Sequence, residues 1–240
     1  MKIKLTFAYN GSVFMGSATQ PHKQSVQDVL QNALAHLGIT SPLLFASRTD
    51  KGVHASGAVA SVECKEHFND FLILKKQINK FAHPYIHIKN IERVSDNFEV
   101  RFCAKAREYR YIFCHQTFNP FLAPFVFFYP AFDTDKANKL LQYFVGEHDF
   151  KYFSKTKSNA KTSKRHIFFA QAYSKNGFSV FRLRANGFLR AQVRLTVSSI
   201  LAVLESRLHQ EQLLEQILAQ KCYFRTLAPP NGLYLTRIIY

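Results

Sequence analysis

Acidic residues are scarce in this chain. Its 240 residues hold 16 Asp and Glu against 32 Lys and Arg, a net charge of +16. In a chain that can fold, such an excess points to a polyanionic partner, nucleic acid first and an acidic membrane surface second. Cysteine is scarce as well. Cys64, Cys103, Cys114 and Cys222 lie scattered, with no C-x-x-C pair, which argues against a disulfide framework or a zinc knuckle and fits a reducing cytosol. The sequence also lacks G-x-x-x-x-G-K-[ST], G-x-G-x-x-G and H-E-x-x-H. Nucleotide and metal chemistry therefore lose their usual carriers, and no metal is expected. Long hydrophobic runs are missing too. The longest uncharged apolar-rich stretch, 116–132, is broken by Pro120, Pro124 and Pro130, which excludes a spanning helix. The opening Met1-Lys2-Ile3-Lys4-Leu5 lacks the apolar run of a signal peptide.

What remains is a globular balance of 47% hydrophobic and 20% charged residues. Alternation of Ile3, Leu5, Phe7 and Tyr9 with Lys4, Thr6 and Ala8 predicts a strand. Ser25 is an N-cap with Asp28 as its capping partner, and Val26, Val29, Leu30, Ala33, Leu34 and Leu37 share one helical face that Gly38 ends. Short strands are predicted over 43–46 and 58–63, a helix over 71–81 and a strand over 86–94. The order βαββαβ then recurs loosely. It runs through a strand over 109–114, a helix over 134–145 and a hairpin of 166–173 with 178–185. Helices over 189–204 and 210–219 and a strand over 233–239 close the chain. This order predicts an α+β fold of two ferredoxin-like or RRM-like halves, joined into a continuous, mainly antiparallel sheet flanked by helices. The expected domains are 1–103 and 104–240.

Charge is uneven along the chain. From Phe150 to Leu204 there is no acidic residue but eleven Lys and Arg, six of them between Lys151 and Arg165. A short run of this kind usually means a solvated loop. The 55-residue extent favours a surface that tracks phosphates. The most unusual local sequence is Ser47-Arg48-Thr49-Asp50-Lys51-Gly52-Val53-His54, which packs Arg, Asp and His into one turn between two strands. Taken alone, Asp50 reads as a turn cap and Gly52 as a residue of positive φ.

Together with other motifs, the loop acquires a second reading. Ala46-Ser47-Arg48-Thr49-Asp50-Lys51-Gly52-Val53-His54-Ala55 resembles the A-G-R-T-D-A-G-V-H-A signature of the tRNA pseudouridine synthase A family. Tyr9-Asn10-Gly11-Ser12 with Gly16 resembles its opening, and Ser25-Val26-Gln27-Asp28 its S-V-Q-E. Phe98-Glu99-Val100-Arg101-Phe102 resembles F-H-A-R-F, and Arg107-Glu108-Tyr109-Arg110-Tyr111 resembles R-R-Y-R-Y. Gly146-Glu147-His148-Asp149-Phe150, Asn186-Gly187-Phe188-Leu189-Arg190 with Val193-Arg194, and Ala228-Pro229-Pro230 with Gly232-Leu233-Tyr234-Leu235 follow in family order. The resemblance spans the whole chain.

The resemblance implies an isomerase that turns uridine into pseudouridine on the 3′ side of the tRNA anticodon stem-loop, at positions 38, 39 and 40. It implies a homodimer with no cofactor, and the scattered cysteines suit a cytoplasmic protein. Asp50 maps to the catalytic carboxylate, Tyr109 to the ring that stacks on the substrate base, and Arg48 to the residue that helps extrude the nucleotide. A carboxylate in a dry pocket stays ionised when a cation lies beside it. Arg194, at the edge of the apolar face of the predicted 189–204 helix, is the candidate partner of Asp50. The expected RNA-binding set is Phe98, Glu99, Val100, Arg101, Phe102, Lys155, Lys157, Ser158, Asn159, Ala160, Lys161, Lys164, Arg165 and Arg190. Departures from the family pattern are Asn10, Ser17 in place of Trp, Ser47, Lys51, Ala191 and Gln192. The competing reading is a non-catalytic RNA binder on a doubled RRM-like fold; it lacks the RNP aromatic signature. A membrane-surface protein would need a more basic amphipathic helix.

Overall fold

The computed structural model describes residues 1–21, 23–155 and 161–240. In chain order the elements are β1 (Lys2–Tyr9), α1 (Val26–Ala35), β2 (Leu44–Phe45), β3 (His54–Glu63), α2 (Phe71–Ala82) and β4 (Ile86–Val94). There follow β5 (Ala106–Cys114), β6 (Phe127–Phe128), α3 (Thr134–Gln142), β7 (Gly146–Asp149), β8 (Lys164–Lys175) and β9 (Phe178–Ala185). The last three are α4 (Gln192–Leu204), α5 (Gln210–Ile217) and β10 (Leu233–Ile239). The fold is mixed α and β, its sheets mainly antiparallel and flanked by helices. The chain forms two compact units: Met1–Lys105 with Tyr234–Tyr240, and Ala106–Leu233. The sequence pattern alone extends the second half to the C-terminus. Instead β10 pairs in parallel with β3, Tyr234 beside His54 and Leu235 beside Ala55, and this returns the last strand to the first unit.

In the first unit β1 lies between β4 and β3, antiparallel to both. Its alternation places Ile3, Leu5, Phe7 and Tyr9 in the core. Each such aliphatic or aromatic side chain contributes about 1.5–3 kcal/mol by leaving water. One edge of β3 takes β10 near its start and β2 near its end, where Leu44 pairs with Ser61. Because β3 is covered on both faces, it shows no polar alternation. For that reason its first residues, His54 to Gly57, carry no strand signal in the sequence. The capping box of α1 forms as predicted: Ser25 Oγ accepts from the Asp28 amide, and Asp28 Oδ2 accepts from the Ser25 amide at 3.0 Å.

In the second unit β5, β9, β8 and β7 form an antiparallel sheet in that order, and β6 pairs with β5 in parallel. Tyr111, Phe113, Phe181 and Leu183 fill the core face of β5 and β9. Two expectations need correction here. The predicted 189–204 helix starts only at Gln192, because Ala191 takes a left-handed φ of 62°. The Gln192 side chain then caps the turn by accepting from the Leu189 amide at 2.8 Å. Arg190 therefore lies outside the helix. Nor is α4 one-sided: all its residues except Arg194 and Leu204 are buried, as expected of a helix enclosed by its own unit.

Candidate active site

The Asp50 loop connects β2 to β3 and is built within the first unit. Arg48 is exposed, while Thr49 and Asp50 are half-buried. Asp50 closes a tight turn in which its carbonyl accepts from the Val53 amide at 3.2 Å, and Gly52 supplies the positive φ of 78°. Asp50 thus shapes the turn through its backbone.

A second segment, residues 9–17, grips this loop. The Tyr9 hydroxyl and Thr49 Oγ1 are 2.7 Å apart. The Ser17 amide donates to the Thr49 carbonyl at 3.2 Å, and the Thr49 amide donates to Ser17 Oγ at 2.7 Å. The Gly11 amide donates to His54 Nδ1 at 3.0 Å. That bond puts the His54 ring proton on Nε2 in the neutral form. A side chain at Gly11 would place its Cβ 2.0 Å from the Val53 carbonyl oxygen, so only glycine fits. The His54 ring stacks on Tyr234 at 4.7 Å and 18°, and burial pushes the Tyr234 hydroxyl up to about 12.

Also in the first unit is the 98–102 segment, whose residues divide by exposure. Val100 is buried, its carbonyl accepting from the Tyr240 hydroxyl at 2.8 Å, and Phe98 packs on the Tyr240 ring at 5.1 Å. Glu99 and Arg101 are exposed, as is Phe102, 80% accessible.

The second unit holds the remaining candidates. Tyr109 sits in β5, 8% exposed, with its ring edge-on to Phe188 at 5.2 Å. Arg194 lies in the first turn of α4, where its Nε donates to the Ala228 carbonyl at 2.7 Å. Beside it the Tyr111 hydroxyl donates to the Pro229 carbonyl at 2.8 Å. Burial raises the Tyr111 hydroxyl far above its ordinary value, opposed by the nearby Arg194 charge. Lys155 is half-buried, and its amide donates to the Arg190 carbonyl at 3.1 Å; Arg190 itself is exposed. Lys161 and Lys164 are exposed. Arg165 donates to the Thr162 carbonyl at 2.9 Å, and burial, with Arg107 nearby, lowers its pKa. Lys157, Ser158, Asn159 and Ala160 lie outside the described residues.

The sequence does not reveal the role of Glu108. This carboxylate is 3% exposed and central to an arginine cluster. Its Oε2 accepts from Arg182 Nη2 at 2.8 Å and from Arg184 Nε and Nη2 at 3.0 and 2.7 Å. Burial pushes the carboxyl up, but the Arg182 and Arg184 hydrogen bonds outweigh it and hold the pKa below its usual value. Among the described residues, no group of three or more His, Cys, Asp or Glu is placed to hold a metal ion. No helix among them is long and apolar enough to cross a membrane.

Over residues 140–240 the chain matches the family model described as tRNA pseudouridine synthase. Over all 240 residues it is 61% identical to tRNA pseudouridine synthase A of Campylobacter jejuni, covering 100% of both chains. It is 38% identical to the enzyme of that name from Helicobacter hepaticus, over 99% of this chain and 98% of the relative. For the Helicobacter pylori protein the identity is 37%, with the same coverage. Likeness of this extent places the chain among the pseudouridine synthases, which are isomerases. Within that class it belongs to the tRNA pseudouridine synthase A family.

Proposed function

We propose that this chain isomerises uridine to pseudouridine in the anticodon stem-loop of tRNA, with Asp50 as the catalytic carboxylate. Full-length identity of 61% to a tRNA pseudouridine synthase A carries this reading, and the Arg48-Thr49-Asp50 loop is where we assign the chemistry. In the reaction the N1–C1′ bond of the uridine breaks, the uracil turns, and a C5–C1′ bond forms. C5 loses a proton and N1 gains one, so the composition of the RNA is unchanged.

Breaking a glycosidic bond without hydrolysing it requires a carboxylate that acts on the sugar, either at C1′ or on the C2′ proton. It also requires that water be kept from the intermediate. Arg194 is the cation that keeps the Asp50 carboxylate ionised as water leaves. The target base must leave its stack, at a cost of about a few kcal/mol that stacking on an aromatic ring in the pocket recovers. Tyr109 is that ring, and Arg48 helps hold the nucleotide out. Lys155, Lys157, Lys161, Lys164, Arg165 and Arg190 bind the RNA backbone, with Ser158, Asn159 and Ala160 in the same stretch and 98–102 as a second RNA-binding segment. The protein works as a cytoplasmic homodimer, and the proposed chemistry uses no metal or organic cofactor.

Release of tritium from C5-labelled uridine in tRNA transcripts tests this directly. Release is expected, with the modified residues mapping to positions 38, 39 and 40. Absence of release from every transcript, or mapping outside the anticodon stem-loop, would refute the assignment.

The basic stretch gives a separate expectation. Replacing Lys155, Lys157, Lys161 and Lys164 together with Ala should weaken tRNA binding. It should also flatten the log Kd–log salt slope by about 0.7–0.9 for every phosphate the protein no longer neutralises. A filter-binding salt titration measures it, and an unchanged slope would make the stretch a solvated loop.

A further inference from the structure

We infer that Ser17 is a positioning residue for Asp50, acting through the backbone of Thr49, with Tyr9 as a second brace on the same residue. The inference rests on the reading of Asp50 as the catalytic carboxylate. Thr49 is held by the Ser17 amide on its carbonyl, by Ser17 Oγ on its amide and by the Tyr9 hydroxyl on its side chain.

Ser17 is 1% exposed, so its polar atoms need partners inside the protein. Its carbonyl is already engaged, because it accepts from the Gln27 amide at 3.0 Å, in the first turn of α1. The neighbouring Gly16 carbonyl likewise accepts from Val26 at 3.2 Å. These two carbonyls satisfy donors that every helix leaves unpaired at its N-terminus. An extended pair would normally exchange two backbone bonds. Here the Ser17 carbonyl is turned to α1, and Ser17 Oγ takes the Thr49 amide in its place at 2.7 Å. One hydroxyl thus closes a ring between the α1 N-terminus and the residue before Asp50.

Gly16 permits the close approach. It has a positive φ of 108°, and a Cβ there would lie 3.2 Å from the Thr49 carbonyl oxygen. The Tyr9–Thr49 bond comes from β1, an element independent of the 16–17 turn. Thr49 is thereby fixed both through its backbone and through its side chain. The following carboxylate inherits that placement.

Ser17→Ala deletes only the acceptor and leaves the Thr49 amide without it. Poor alignment of a reacting group costs rate more than binding, so kcat should fall about 10- to 100-fold with KM for tRNA unchanged. Ser17→Thr keeps a hydroxyl acceptor and should recover most of the rate. Tyr9→Phe should lower kcat in the same direction. The double variant should lose less than the product of the two single losses, since both act on one residue.

Single-turnover rates, KM and thermal melts are to be measured on the full chain for these variants, with Asp50→Asn beside them. A role confined to stability would lower the melting temperature while kcat well below it stays at the wild-type value, and that result overturns the inference. Equal impairment of Ser17→Ala and Ser17→Thr overturns it as well, because packing rather than the hydroxyl would then set the rate. Should Ser17→Ala fail to fold, a wild-type kcat for Tyr9→Phe decides against the brace. Activity in Asp50→Asn would refute the catalytic reading instead. An inactive Asp50→Asn beside a normal Ser17→Ala refutes only the positioning role.

Discussion

Purified Asp50→Asn protein should form no detectable pseudouridine while binding tRNA with near wild-type affinity. Asparagine keeps the size and much of the hydrogen bonding of aspartate. The turn's hydrogen bond to the Val53 amide is made by the Asp50 backbone carbonyl, which the substitution retains. What disappears is the anionic oxygen needed to attack the sugar or remove its proton. RNA affinity comes mainly from Lys and Arg on phosphates, so deleting one carboxylate should leave it nearly unchanged. Tritium release and filter binding on the same preparation separate the two quantities. Normal turnover by the variant would refute the assignment, whereas loss of binding and activity together would make Asp50 a structural residue of the loop.

A comparably large effect, on stability rather than chemistry, is expected for Glu108→Gln. Glutamine nearly preserves the shape but leaves Arg182 and Arg184 facing a neutral amide. Losing one partner of a fully buried ion pair costs about 3–5 kcal/mol. The two guanidinium side chains are 28% and 31% exposed. Water therefore takes up part of their charge, and a loss of about 2–3 kcal/mol is the discounted expectation.

The pH dependence has a definite sign. The folded pKa of Glu108 lies below its unfolded value. The unfolded chain then binds more protons in acid, and stability falls as pH drops. The contribution of the wild-type carboxylate is complete above the ordinary carboxylate range of about 4.3 and lost as pH falls through the lowered folded value. The gap between wild type and Glu108→Gln should therefore be widest near neutrality and close in acid. Urea unfolding at several pH values measures it, and a gap independent of pH would exclude the ion pair as its source.

Much of the fold is legible because its signals are local. Alternation locates β1, and the bounds predicted for β4, β9 and β10 match those observed. Ser25 and Asp28 announce α1, since a capping box lies within four residues. β6 and β7 escape because two and four residues are too few to establish a period. The start of α4 is misplaced because the backbone at Ala191 overrides an otherwise continuous helical pattern.

The candidate site divides along the same line. The 47–54 loop is conspicuous because Arg48, Asp50 and His54 crowd one turn. Ser17 is not, because its partner lies 32 residues away and a lone serine after glycine carries no pattern. Glu108 also looks ordinary. An acid between arginines in a strand suggests a solvated face, while its true partners lie 74 and 76 residues further on.

The return of β10 to the first unit makes that unit discontinuous in sequence. All of Ala106–Leu233 is interposed before Tyr234–Tyr240 rejoins it. During synthesis, domains generally fold as they emerge, N-terminal first. Here the first unit can assemble β1, β3, β4 and their helices early, but it then waits for the whole second unit to be made. Until Tyr234 arrives, His54 lacks its stacking ring, and the edge of β3 near the Asp50 loop lacks its parallel strand. The framework around the loop that carries the proposed chemistry is thus completed only with the last residues of the chain, although the loop is encoded in its first quarter. A nascent chain released before those residues would carry the Asp50 motif without its finished framework.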